Sequence, residues 1–260
     1  MLTSSPFAII LSIIGNIVST GTAFSPIKNF LEIDRNRDVG NNNIYPIIAL
    51  CGNSLCWVVY GAVIKSMSIL PVNVIGLFVT SYFIIVFISA TSDIIKRRFI
   101  TAIYFGYLVG LTIYHIMIVL YVESIETQST IFGYTSIVAV LIFYASPVLS
   151  LYGVFKSMDR SSINLPLSLV SCFAGLTWTL YGIVVDNKFI FLPNAVGASL
   201  SAISLVAYFL VGYFNTLYKI KSNQTNDGAS QDVALIINQE EQQEISLNKD
   251  DDDYEEEIKI

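Results

Sequence analysis

Two stretches of the chain, CGNSLCWVVYGAVIKSMSILPVNVIG at residues 51–76 and CFAGLTWTLYGIVVDNKFIFLPNAVG at residues 172–197, are versions of one another. A single offset of 121 residues superposes Cys51/Cys172, Leu55/Leu176, Trp57/Trp178, Tyr60/Tyr181, Gly61/Gly182, Asn73/Asn194 and Gly76/Gly197. The same offset matches Ser25-Pro26 with Ser146-Pro147. Chance similarity between apolar segments would match Leu and Val rather than Trp and Asn, so these stretches indicate an internal repeat.

The composition is that of a membrane protein. Of 260 residues, 54% are apolar and 13% are charged, whereas about a quarter of the residues are charged in a typical soluble domain. Seven apolar runs each approach the roughly 20 residues that a helix needs to cross a bilayer. They lie at residues 7–31, 44–63, 69–90, 100–121, 130–155, 165–185 and 189–214.

The repeat decides how these spans are arranged. It relates spans 1–3 to spans 5–7, and the single span between them makes corresponding spans enter the membrane from the same side. We predict an all-α membrane protein with seven transmembrane helices, built as two parallel three-helix repeats joined by a linker helix (3+1+3). The predicted parts are a first repeat (1–99), a linker helix and loop (100–129), a second repeat (130–215) and an acidic, disordered cytoplasmic tail (216–260).

The charges predict the orientation. Residues 1–221 hold 12 basic and 8 acidic residues, whereas residues 222–260 hold 2 basic and 12 acidic ones. The basic residues of the body concentrate in the loops on one side, which the positive-inside rule assigns to the cytoplasm. We therefore expect the N-terminus outside and the C-terminus in the cytoplasm, in the plasma membrane or a Golgi or endosomal membrane.

Four repeated side chains form a candidate substrate-binding pocket. Trp57 and Asn73 are expected at similar depth in the outer half of the membrane, and Trp178 and Asn194 repeat this arrangement. An indole face stacks on an apolar ring face, and an amide offers two donors and an acceptor to hydroxyl groups. The combination suits a neutral polyol such as a sugar.

A second set of repeated residues is assigned to hinges and gates. Proline inside a helix removes a hydrogen bond and permits a kink, so prolines near the inner ends of the spans predict hinges of an inner gate. Lys65 and Asp186, related by the same offset on opposite outer loops, could latch an outer gate. The full set is Pro26, Pro46, Pro147, Pro166, Tyr60, Gly61, Tyr181, Gly182, Lys65 and Asp186.

The sequence shows no other chemistry. No Asp, Glu, Lys or Arg falls well inside a span, which favours passive transport because ion-coupled carriers usually retain such a residue. No phosphate-binding loop, metal-ligand cluster or catalytic triad pattern is present, so we expect no enzyme, no metal, no cofactor and no nucleic-acid partner. The single His115 is interpreted as a packing residue of span 4.

These motifs resemble those of the SWEET (MtN3/saliva) family of sugar carriers, over roughly residues 10–215. The resemblance rests on Gly15-Asn16, Ser25-Pro26, Tyr60-Gly61, Asn73, Tyr144-Ala-Ser-Pro147, Trp178-x-x-Tyr181-Gly182 and Pro193-Asn194. It implies a bidirectional sugar uniporter that works by alternating access in the lipid bilayer, with frequent homo-oligomers. It also implies that Asn73, Asn194 and Trp178 line the pocket and that Pro26, Pro46 and Pro147 belong to a proline tetrad.

The chain departs from the family pattern in two places. The fourth proline would fall at Asn164, and the nearest proline is Pro166. The position that matches Trp178 in the first repeat is often small in eukaryotic members but is Trp57 here. Two facing indoles leave less room, so we predict a monosaccharide such as glucose rather than sucrose.

Three alternatives stay open at this point. A proton-coupled carrier of the related PQ-loop group has the same architecture, but such proteins carry Pro-Gln pairs where Pro26 and Pro147 precede Ile27 and Val148. A seven-helix receptor would share the orientation, but the repeat has no place in it. A scramblase or structural membrane protein would show no saturable flux.

Overall fold

The computed structural model describes residues 5–219, whose regular elements are all helical. Seven spans in this part of the chain are long and apolar enough to cross a membrane, so the predicted multi-pass fold is confirmed. The helices are α1 (Pro6–Phe24), α2 (Ile27–Asn36), α3 (Tyr45–Val63), α4 (Leu70–Ala90), α5 (Ile94–Tyr121), α6 (Ile125–Ser157), α7 (Leu165–Val184) and α8 (Lys188–Lys219). The compact body that holds the site ends at Tyr208. The tail predicted from residue 216 lies outside the described residues from residue 220 onward.

The first span is interrupted, whereas its repeat counterpart is continuous. α1 ends at Phe24 and α2 begins at Ile27, with Ser25 and Pro26 between them. Proline lacks the N–H that would bond to the carbonyl one turn earlier, which permits the break. Pro147, at the equivalent position, lies inside the uninterrupted helix α6. The sequence predicts equivalent hinges at Pro26 and Pro147. Of these two prolines, Pro26 lies at a helix break and Pro147 does not.

Pro46 and Pro166 lie in the first turns of α3 and α7. Proline suits this place because the first N–H groups of a helix have no intrahelical partner. Asn164, the position where the resemblance expects a proline, is the N-cap of α7 and its Oδ1 accepts from Leu167 N at 3.0 Å. A role of Pro46 and Pro166 as hinges stays a prediction.

Matching caps end α3 and α7. Ser66 N donates to Gly61 O at 2.8 Å, and Asn187 N donates to Gly182 O at 2.8 Å. Lys65 and Asp186 adopt the left-handed conformation, with φ of 55° and 51°. These are the bonds and dihedrals of a Schellman cap, so the repeat extends to the backbone of the turns.

The helices pack in an order that joins the two repeats. Within the first repeat, α4 packs against both α1 and α3; between the repeats, α3 packs against α6 and α1 against α7. In the second repeat α7 meets α8 closely, since a Cβ on Gly175 would lie 2.9 Å from the backbone nitrogen of Ala198. The bundles therefore face each other through α1/α7 and α3/α6.

The linker helix α5 contacts both repeats. Tyr107 of α5 packs directly on Gly52 of α3, and Tyr114 Oη lies 2.9 Å from Thr135 Oγ1 of α6. His115 is buried, with Nδ1 2.6 Å from Leu111 O and its ring 5.2 Å from that of Phe132. These contacts agree with the interpretation of His115 as a packing residue.

Candidate functional site

A cavity of about 590 Å³ lies between the two repeats, and its lining obeys the repeat. Each lining residue of the first repeat has a lining counterpart 121 residues later in the chain. These first-repeat residues come from α1 and the turn that follows it, from α3, and from α4 with its N-cap. The cavity therefore lies on the pseudo-two-fold axis that relates the bundles. The pairs that matter below are Ser19/Val140, Thr22/Phe143, Ile47/Ser168, Leu50/Ser171, Asn53/Ala174, Trp57/Trp178, Asn73/Asn194, Thr80/Ser201 and Phe83/Ser204.

The four residues predicted to bind substrate all line this cavity. Asn73 Nδ2 donates to Ile69 O at 2.8 Å, and Asn194 Nδ2 donates to Ile190 O at 2.7 Å. The bonds found among residues 5–219 give neither Oδ1 a partner, so each amide keeps an acceptor and a second N–H for a ligand.

The two indoles are equivalent in position but not in their hydrogen bonds. Trp57 Nε1 donates to Asn53 Oδ1 at 3.1 Å within α3, whereas Trp178 Nε1 donates to Ser19 Oγ at 3.0 Å across the repeats. Each indole packs edge-on against the tyrosine that follows it, with centroid distances of 5.7 Å for Trp57–Tyr60 and 5.4 Å for Trp178–Tyr181. Both side chains are only 7% exposed, so both are held rigidly at the cavity wall.

Beyond the Trp/Asn layer of the cavity, the two repeats are in direct contact. Tyr60 Oη lies 3.0 Å from Oδ1 and 2.8 Å from Nδ2 of Asn187, and the Tyr60 ring packs edge-on against Phe189 at 5.9 Å. The predicted latch between Lys65 and Asp186 is absent from the ion pairs of residues 5–219, where the recorded pair is Arg37–Asp34. Both charges are exposed at the caps and are free to be solvated, and the contact between the repeats is made by neutral groups.

The glycines of the Tyr-Gly motif serve close packing rather than the lining. A Cβ on Gly182 would lie 2.5 Å from Phe191 N, and one on Gly61 would lie 3.4 Å from Ile69 Cβ. Neither glycine, and neither of Tyr60 and Tyr181, lines the cavity. Of the predicted prolines, Pro26 and Pro147 line it and Pro46 and Pro166 do not.

The other end of the cavity reaches the exposed loop between α6 and α7, at residues 162–164. The Asp159 carboxylate accepts from Ser161 N at 2.9 Å and from Ser161 Oγ at 2.7 Å, which lowers the pKa of Asp159. The Arg160 guanidinium lies 4.5 Å from the ring centroid of Tyr208. These contacts order the loop beside the mouth of the cavity.

Several residues near the site receive no role from the sequence, although Tyr144 and Asn16 lie in motifs that carry the family resemblance. Asn187 is the N-cap of α8, because its Oδ1 also accepts from Phe189 N at 3.1 Å, and its position just before an apolar run was the available signal. Asn53 and Ser19, which hold the indoles, and Tyr144, whose Oη donates to Pro193 O at 3.1 Å, have unlike counterparts in the other repeat. A search for repeated residues therefore passes over them.

Asn16 of α1 is a further residue of this kind. Its Nδ2 donates to Ser68 O at 2.8 Å and its Oδ1 accepts from Val72 N at 3.0 Å. It thus ties α1 to the start of α4, one residue before Asn73. The counterpart of Asn16 is Ile137, so this tie exists in one repeat only.

Comparison with known proteins agrees with the repeat. Residues 9–93 and 130–214 each match the family model MtN3_slv, described as a sugar efflux transporter for intercellular exchange. The chain is 28% identical over 222 residues to the bidirectional sugar transporter SWEET7b of Oryza sativa subsp. japonica, covering 80% of this chain and 79% of that protein. It is 26% identical over 215 residues to the bidirectional sugar transporter SWEET5 of Arabidopsis thaliana, covering 80% and 86%.

A solved structure shows the same fold. A eukaryotic SWEET transporter superposes with a TM-score of 0.74 at 22% sequence identity, covering 80% of this chain and 97% of that one. The expected 3+1+3 fold and the family resemblance are confirmed.

Proposed function

The chain belongs to the family of sugar efflux transporters for intercellular exchange, and on that premise we propose that it is a facilitative, bidirectional uniporter for a monosaccharide such as glucose. The observation that carries the proposal is the symmetric layer of the cavity, where two tryptophans and two asparagines line one space on the axis between the repeats. A sugar ring presents C–H groups to aromatic faces and hydroxyls to amides, which is the chemistry that this layer offers.

Alternating access supplies the mechanism. The contact between Tyr60 and Asn187 supports a closed end beyond the Trp/Asn layer, and the other end of the cavity reaches the loop between α6 and α7. With the orientation predicted from loop charge, this state is open to the cytoplasm. To open toward the other side of the membrane, the protein must lose the Tyr60–Asn187 contact and close the mouth at the α6–α7 loop. The interruption between α1 and α2 at Pro26 offers a hinge for closing the mouth.

The absence of a carboxylate from the lining supports a passive carrier. Among residues 5–219, the cavity is lined by apolar side chains, hydroxyls and amides without an Asp or Glu. A proton-coupled carrier needs a group on the path whose charge changes. Flux should therefore follow the sugar gradient alone.

The test is radiolabelled glucose flux in proteoliposomes. We expect saturable flux in the wild type and no response of that flux to a pH gradient. In Asn73→Ala/Asn194→Ala we expect the flux to fall about tenfold or more, because removing ligand contacts worth about 1.4 kcal/mol lowers binding tenfold. Asn29→Ala is the matched control, because this exposed asparagine lies away from the cavity lining and its side chain donates to Asn42 Oδ1 at 3.0 Å. No flux in the wild type would refute sugar transport, and acceleration by a proton gradient would favour a coupled carrier.

A further inference from the structure

The cavity has a second layer between the Trp/Asn pocket and the mouth, and there the two repeats have diverged. Ile47 corresponds to Ser168, Leu50 to Ser171 and Phe83 to Ser204. At these three positions the first repeat contributes apolar side chains and the second repeat contributes hydroxyls, whereas Thr22 corresponds to Phe143 and Thr80 to Ser201. The pocket layer, in contrast, keeps Trp opposite Trp and Asn opposite Asn.

The order of the helices gathers these differences into two walls. α7 packs against α1 and α8, and α3 packs against α4 and α6. One wall, the hydroxyl wall, consists of Ser168 and Ser171 of α7 with Ser201 and Ser204 of α8. The opposite wall, the apolar wall, consists of Ile47 and Leu50 of α3 with Phe143 of α6, and the fully buried Phe83 of α4 also borders the cavity.

The serines of the hydroxyl wall are largely uncommitted. Thr177 and Thr179 of α7 donate to carbonyls four residues earlier at 2.8 and 2.7 Å, as hydroxyls in apolar helices commonly do. Within residues 5–219, no such bond is found for the hydroxyls of Ser168, Ser171 or Ser201. Ser204 donates to Leu200 O at 2.9 Å and retains its lone pairs as acceptors. The wall can therefore donate to and accept from a ligand.

The second layer is separate from the pocket. Ser171 precedes Trp178 by seven residues on α7, and Ser201 follows Asn194 by seven residues on α8. At 1.5 Å per residue, both serines lie about 10 Å along their helices from the pocket layer, on the side of the mouth.

We propose that these two walls form a second sugar subsite, a vestibule that holds a pyranose between the mouth and the pocket. One ring face packs on Ile47, Leu50 and Phe143, while the ring hydroxyls exchange hydrogen bonds with Ser168, Ser171 and Ser204. The inference rests on the proposed sugar transport and adds to it a site that the pocket amides do not form. A sugar occupies the vestibule before it reaches the pocket or after it leaves.

The subsite is tested by protection of a thiol. Ser171→Cys is introduced into the full-length chain with Cys51, Cys56 and Cys172 replaced by alanine, and its modification by a methanethiosulfonate reagent is followed with D-glucose or with mannitol as the osmotic control. The same measurement is made with Asn73→Ala/Asn194→Ala added, which disables the pocket. Ser92→Cys, in the exposed loop between α4 and α5, reports general reactivity and correct folding.

With the pocket disabled, glucose at ten times its dissociation constant should still slow the labelling of Ser171→Cys about tenfold, and Ser92→Cys should be unaffected. Adding Ser168→Ala and Ser204→Ala should weaken this protection. Protection that vanishes together with the pocket amides, or none at all, would overturn the vestibule even if wild-type glucose flux is intact. Absence of that flux would instead refute the proposed transport. As a check independent of cysteine, saturation-transfer NMR should detect glucose on the pocket-disabled protein and lose that signal when Ser168→Ala, Ser171→Ala and Ser204→Ala are added to it.

Discussion

Tyr60 of α3 and Asn187 at the start of α8 are joined across the two repeats, with the tyrosine oxygen 3.0 Å from Oδ1 and 2.8 Å from Nδ2 of the amide. Their counterparts, Tyr181 and Ser66, form no such bond in the described part of the chain. One asymmetric contact thus joins the repeats beyond an otherwise symmetric layer of the cavity.

Tyr60→Phe should favour opening at this end. The variant loses the hydrogen-bonded contact but keeps the ring, and a loss of about 1 kcal/mol shifts a two-state equilibrium roughly fivefold. Spin labels at Lys65→Cys and Asp186→Cys, on the exposed caps, would report the opening as a longer distance population. Tyr181→Phe is the control and should change nothing. An unchanged distance distribution in Tyr60→Phe would show that this contact does not hold the end closed.

Trp57→Ala should widen the range of substrates. The indole of Trp57 lines the cavity opposite Trp178, and its removal leaves room for a second sugar ring. We expect wild-type flux to be faster for glucose than for sucrose and the ratio to fall in the variant. Truncating a buried aromatic side chain to alanine typically lowers the free energy of unfolding by about 3–5 kcal/mol. Trp57→Phe keeps an aromatic ring, so it distinguishes the effect of a wider cavity from the effect of lost stability. Faster sucrose flux in the wild type would overturn the monosaccharide proposal, and an unchanged ratio would remove Trp57 from the pocket.

Asn16→Ala should raise the half-saturating glucose concentration by positioning Asn73 less well. The variant removes the bonds to Ser68 O and Val72 N that tie α1 to the start of α4. Each is worth about 1 kcal/mol, so a loss of about 2 kcal/mol in stability accompanies the effect. Asn16→Asp keeps the acceptor for Val72 N but replaces the donor to Ser12 O and Ser68 O by an oxygen, so it should not recover the affinity. Equal affinity in Asn16→Ala and the wild type would limit Asn16 to a structural role.

Pro26→Ala and Pro147→Ala should differ. Alanine at residue 26 can restore the missing N–H and favour a continuous α1–α2 helix, whereas α6 is continuous with its proline in place. We therefore expect the larger loss of glucose flux, at equal protein density, in Pro26→Ala. An equal loss in both variants would mean that the helix break is not the hinge.

The repeated residues made much of the architecture predictable. A fixed offset that matches Trp57 with Trp178 and Asn73 with Asn194 predicts that they converge on one axis, and all four line the cavity on that axis. Symmetry arguments of this kind need no knowledge of side-chain packing.

The asymmetric features were not predictable in the same way. The closing contact depends on Asn187, whose counterpart is Ser66, and the two walls of the vestibule depend on which helix packs against which. The sequence predicts that Pro26 and Pro147 are equivalent, yet the helix breaks at Pro26 and runs through Pro147, since a proline permits a break without requiring one. Lys65 and Asp186 are equivalent in backbone conformation but do not pair, since exposed charges gain little from each other in water.

The difference between the two ends of the cavity also affects the kinetics of transport from each side of the membrane. A passive carrier must bring both sides to the same sugar concentration, so the ratio of maximal rate to half-saturating concentration is equal for influx and efflux. Apparent affinity, however, scales with the fraction of molecules already open to the side that offers the sugar. For the proposed uniporter, if empty molecules interconvert faster than loaded ones, a Tyr60–Asn187 contact that favours the state open at the α6–α7 loop makes that face saturate at a lower sugar concentration and a lower maximal rate. The opposite face then has the higher half-saturating sugar concentration and the higher maximal rate. The same molecule would therefore collect sugar efficiently at low concentration on one side and transport it at a high rate from high concentration on the other.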